Sequence, residues 1–115
     1  MENIDQLNKY LKHWQEVLNL SDWQLEIRFS DFARTDYHQT GDVEVDLENK
    51  KGVVLISKKD NGKDLNKVIL HELIHLLLWP YDQYSEKQIP ADNKNKYFDL
   101  LESTINSLTD IIYKK

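Results

Sequence analysis

His71 and His75 stand four residues apart with Glu72 beside the first, and this short run is the part of the chain best equipped for chemistry. Residues four apart share one face of an α-helix, so two imidazoles at that spacing can converge on one cation. Glu72 lies about 100° round the helix from His71, where its carboxylate can reach a water held by the cation and act as a general base. His71 and His75 are therefore expected to be metal ligands and Glu72 the catalytic base. The flanks are apolar, with Val68, Ile69 and Leu70 before the motif, Leu73 and Ile74 inside it, and Leu76, Leu77, Leu78 and Trp79 after it. Such a helix must be buried, and a buried carboxylate beside two buried imidazoles needs compensation. A divalent cation with its water compensates all three.

The 115 residues include no cysteine, so a metal must be held by nitrogen and oxygen, and no disulfide framework is available. Catalytic Zn²⁺ takes three protein ligands and leaves the fourth position to water, so the histidines require a partner. Glu102 is the best placed. On a 100° wheel it falls at the edge of the apolar stripe of the last helix, between the directions of Phe98 and Ile105, whereas Asp99 points away. Glu86, Asp82 and Asp92 are fallback ligands in a segment expected to be a loop. Asn106, one turn after Glu102, is a candidate to orient a ligating histidine through its other ring nitrogen.

Elements that would position these groups can be read along the chain. Ile4, Leu7, Tyr10, Leu11, Trp14, Val17 and Leu18 recur at spacings of three and four, which predicts an amphipathic helix backing the core within residues 1–20. Residues 23–57 alternate as strands. Trp23, Leu25, Ile27 and Phe29 face inward on the first, Val43, Val45 and Leu47 on a second, and residues 53–56 form an apolar third, with a further short strand allowed between 33 and 41. Residues 49–52 carry turn chemistry. Asp64 is the expected N-cap of the motif helix, which should end near Trp79 because Pro80 cannot continue it. Residues 80–95 are expected to be a mobile rim loop, and residues 97–113 a last helix with Phe98, Leu101, Ile105, Leu108 and Ile112 as its stripe. The expected fold class is α+β, a single small domain with a sheet of three or four strands, mostly antiparallel or mixed. Trp14, Trp23 and Trp79 are expected to anchor the core.

The formal net charge of −5 and the absence of a dense Lys/Arg run argue against nucleic acid as a partner. The polar, acidic start does not look like a secretory signal, and the apolar stretch 68–79 is too short to span a bilayer. No membrane partner is expected, and the chain is expected to be soluble and cytoplasmic. Asp42, Glu44, Asp46 and Glu48 should form a solvated outer face; bordering a cleft, they would favour basic substrates.

A His-Glu-x-x-His helix followed by a glutamate on the next helix resembles the gluzincin zinc metallopeptidases, and the size resembles their minimal single-domain members, the minigluzincins. The chain is also similar to zinc peptidases encoded by phages and prophages of low-GC bacteria, in which a strand like Trp23 to Ile27 precedes the motif. The resemblance covers most of the chain, although only the motif itself is specific. It implies a zincin-like domain, Zn²⁺ held by His71, His75 and Glu102, Glu72 as base, and hydrolysis of a peptide or protein substrate. In larger gluzincins an aspartate stands four residues beyond the ligand glutamate, where this chain has Asn106. Oxyanion donors would come from Tyr81, Tyr84, Tyr97 or His38, and residues 53–56 read equally as a strand along the cleft that pairs with an extended peptide or as plain core. The alternative function is a non-catalytic zinc-binding regulatory or adaptor module of a mobile element, with a regulatory protein as partner.

Overall fold

The computed structural model describes residues 3–31, 40–58 and 64–114. Asn3 caps the first helix by accepting a hydrogen bond from the Gln6 amide (2.9 Å), and α1 then runs Ile4–Val17. It ends in a Schellman motif: the Asn19 amide donates to Glu16 O (3.1 Å) and the Leu20 amide to Gln15 O (2.8 Å). Asn19 takes the left-handed conformation that this ending demands (φ 59°), which short polar Asn tolerates better than most residues. Leu7, Leu11 and Trp14 form the buried stripe of α1.

Three strands follow, β1 Gln24–Ser30, β2 Gly41–Asp46 and β3 Lys51–Ser57. Their order is β1-β3-β2, with β1 parallel and β2 antiparallel to β3, so the sheet is mixed. In register, Ile27, Val54 and Val43 lie side by side, as do Phe29, Ile56 and Gly41. These rows present the inward face. Val54 and Ile56 are fully buried because β3 is the central strand. Leu47 falls in the turn after β2 and is exposed, contrary to the expected alternation, and Gly52 lies in β3 rather than in the turn.

The second long helix, α2, spans Leu65–Gln88, and α3 spans Lys94–Tyr113 after a single 3-10 turn at Ala91–Asn93. Asp64 caps α2 as expected, accepting from the Asn66 and Lys67 amides (3.1 and 3.4 Å). The expected stop at Pro80 and the rim loop over 80–95 do not occur. The helix passes through Pro80 and ends where Ile89 turns extended ahead of Pro90, the conformation that a following proline imposes. Pro80 is exposed, and residues beyond it are tied to α3 by polar contacts between Asp82 and Tyr97 and between Glu86 and Lys94. Those contacts offset the main-chain hydrogen bond a proline cannot donate.

Ile69, Leu70, Leu73, Ile74 and Leu76 bury α2 between the sheet, α1 and α3, as its apolar frame implies. The Trp14 indole donates to Asn66 Oδ1 (2.7 Å), joining α1 to the start of α2. Trp14 is a buried anchor, while Trp23 and Trp79 are half-buried. On α3 the stripe is centred on Ile105 and Thr109, and Phe98 is largely exposed. The architecture is a small α+β domain. Among the described residues no helix is long and apolar enough to cross a membrane.

Candidate metal centre and cleft

α3 runs antiparallel to α2 and brings Glu102 over the motif. Glu102 Oε1 lies 2.9 Å from His71 Nε2, and Oε2 lies 3.2 Å from His75 Nε2. Leu70, Leu73 and Ile74 turn their side of α2 into the core, which leaves His71 and His75 one turn apart on another face, rings edge to face with centroids 5.0 Å apart, facing α3. Hydrogen bonds from His71 and then His75 hold the Glu102 carboxyl far below its ordinary range.

The three candidate ligand atoms lie within 4.8 Å of one another. A tetrahedral zinc with bonds of about 2.0–2.1 Å sets its ligand atoms about 3.3 Å apart, so the two nitrogen–oxygen separations need expand only slightly to admit a cation. The donor set, two imidazoles and one carboxylate, suits zinc without thiolate. Among the described residues this is the one cluster of such groups.

Glu72 lies on the neighbouring face of α2, only 7% exposed, and accepts no hydrogen bond from any described residue. Burial raises its pKa to about 7; His71 opposes the rise, and Asp42 and Glu102 add to it. A carboxylate sealed from water without a partner is costly, but this one opens onto the same cleft, of about 870 Å³, as His71, His75 and Glu102, and no oxygen of it is both enclosed and without a partner. The other wall is the start of β2, at Thr40, Gly41 and Asp42. Gly41 permits that approach: a Cβ there would stand 2.7 Å from Val68 Cγ1 and 3.4 Å from Glu72 Cγ.

The remaining sequence candidates are placed differently. Asp82 is buried and receives the Tyr97 hydroxyl at 2.5 Å, Glu86 pairs with Lys94 (3.8 Å), and Asp92 sits in the 3-10 turn, so no fallback ligand approaches the histidines. Asn106 lines the cleft but makes no hydrogen bond with either histidine. Tyr81 and Tyr84 are about 70% exposed on the outside of α2, and Tyr97 is engaged with Asp82, so none of the three tyrosines lines the cleft. Burial, and then the Asp82 carboxylate, push the Tyr97 phenol up to about 12. His38 lies outside the described residues. Residues 53–56 belong to the central strand and have no free edge; among the described residues β2 is the edge strand that borders the cleft. Of the acidic strand residues, only Asp42 lines it.

Sequence reasoning missed the far end of the cleft, where Lys67 pairs with Asp110 (2.6 Å) and the Tyr113 hydroxyl donates to Asp64. The signal was present: with His75 opposite Glu102 on antiparallel helices, residues before His71 must meet residues after Glu102. No protein-family model matches the chain, and neither a curated protein nor a solved structure does.

Proposed function

We propose that the protein is a zinc-dependent metallopeptidase that hydrolyses peptide bonds with Glu72 as general base. One observation carries this reading. Glu102 spans His71 and His75 with its two oxygens while Glu72, buried and unpartnered, lines the same cleft. A purely structural metal site has no use for an additional buried carboxylate, which favours catalysis over a non-catalytic zinc module.

His71, His75 and Glu102 would hold the ion, which when bound supplies a Lewis acid that acidifies water and polarises a carbonyl. Glu72 is placed to take a proton at its carboxylate and to return it to the leaving amine. In the metal-free cleft burial raises its pKa, which strengthens it as a base, and a bound cation would act in the opposite direction. An extended peptide would lie along β2, whose outer edge has no strand partner among the described residues, and add to the sheet there.

Glu72→Gln tests the base. Metal analysis should find zinc retained near one ion per chain, and cleavage of a susceptible peptide library should fall by about 10²-fold or more. Undiminished cleavage would reject the assignment, and a chain that takes up no zinc would reject the metal.

A further inference from the structure

Beyond Leu76 the α2 helix buries a single side chain, and it is a carboxylate, Asp82, 8% exposed. A buried carboxylate requires partners, yet among the described residues no cation pairs with this one. It receives the Tyr97 hydroxyl instead, 2.5 Å from Oδ1, and the same hydroxyl stands 3.4 Å from the Asp82 carbonyl oxygen. Ser85, one turn further on, faces the same phenol. Tyr97 precedes Glu102 by five residues on α3, and Asp82 follows His75 by seven on α2. The pair therefore ties the two helices together about two turns along α2 from His75.

We propose that Asp82 and Tyr97 are a positioning pair that sets the register of α3 on α2 and thereby holds Glu102 opposite His71 and His75. This rests on the metal-centre reading above. Apolar contacts between the helices, centred on Ile105, are non-directional and tolerate sliding. A hydrogen bond to a carboxylate is directional and strong. A slip of α3 by one residue displaces Glu102 by about 1.5 Å along the helix and 100° around it, whereas a metal ligand must be held to about 0.5 Å. Of the other polar ties, Glu86 to Lys94 is long (3.8 Å), and Lys67 to Asp110 and Tyr113 to Asp64 are exposed and lie eight and eleven residues past Glu102. Exposed pairs hold geometry weakly.

The test is zinc affinity, measured by competition with a chromophoric chelator, together with the visible spectrum of the Co²⁺-loaded protein. Tyr97→Phe should weaken zinc binding about tenfold or more and change the Co²⁺ bands. Asp82→Asn keeps an acceptor for the phenol and should stay within a few-fold of wild type with an unchanged spectrum. Asp82→Leu combined with Tyr97→Phe replaces the pair by apolar groups, which preserves folding better than leaving one partner unpaired, and should still bind zinc as weakly as Tyr97→Phe. Ile27→Val, in the sheet, should lower thermal stability without changing affinity. If wild type binds zinc, Glu102→Ala weakens it, and the folded double variant binds as tightly as wild type, the positioning role is overturned while the metal reading stands. Wild-type protein that binds no zinc overturns both.

Discussion

Glu102 on α3 holds its Oε2 3.2 Å from the Nε2 of His75 on α2, although the two are 27 residues apart in the chain. Its other oxygen serves His71 at 2.9 Å, so one carboxylate spans both imidazoles of the motif. If these three groups hold zinc, Glu102→Ala should weaken zinc retention by about 10²-fold or more, consistent with the loss of a direct ligand exceeding that of an outer partner. Asp99→Ala, exposed on the same helix, should leave it unchanged. Equilibrium dialysis against zinc buffers checks both, and equal effects would exclude Glu102 as the third ligand.

Glu72 should leave a pH signature on the metal-free protein. Its carboxyl titrates near 7 in the folded state against an ordinary 4.5. Below pH 4.5 it is neutral in both states and opposes nothing. Between 4.5 and about 7 the unfolded chain releases a proton that the folded chain keeps, so stability falls as pH rises, by roughly 3 kcal/mol in all. Glu102 shifts the opposite way: it is ionised in both states across this window, and its contribution is lost only as pH falls below 4.5. Urea unfolding of wild type and Glu72→Gln in the presence of chelator should therefore diverge between pH 4.5 and 7. Parallel profiles would contradict the raised value.

Gly41 sets how closely β2 approaches the motif helix. A methyl at that position would press on Val68 Cγ1 at 2.7 Å, and β-branched valine in a helix has little rotamer freedom to yield. Gly41→Ala should cost about 1–3 kcal/mol of stability by forcing the strand away from Val68 and Glu72. Thermal unfolding reports the loss, and hydrogen exchange should show it concentrated in β2.

Pro80 sits in the middle of α2 with its ring exposed. Alanine there restores an amide donor inside the helix, a gain of up to about 3 kcal/mol, reduced by the greater freedom of the unfolded chain. Pro80→Ala should raise stability by about 1–2 kcal/mol with zinc affinity unchanged. A stability loss in chemical denaturation would show that the ring itself makes a needed contact.

Much of this arrangement was legible because it is local. A 3.6-residue period located α1 and α3, alternation located β1 and β2, and Asp64 caps α2 as its side chain and position imply. The spacing of His71, Glu72 and His75 places two imidazoles toward α3 and the carboxylate on the next face with no tertiary information. The helical wheel likewise brought Glu102, and not Asp99, to the two histidines.

Other features depended on long-range contacts. The first of two prolines looked like the end of α2, but contacts from Asp82 and Glu86 to α3 carry the helix past Pro80, and Pro90 ends it. Residues 53–56 read equally as an edge or a core strand, since alternation says nothing about neighbours; the β1-β3-β2 order puts them at the centre and puts β2 at the cleft. The approach of the Gly41 end of β2 to α2 brings Asp42, and neither Glu44 nor Asp46, to the cleft lining. Side-chain chemistry and helical period are properties of a few adjacent residues and can be read from them. Strand order, helix register and the partner of a buried carboxylate are settled between residues far apart in the chain, and only their packing together decides them.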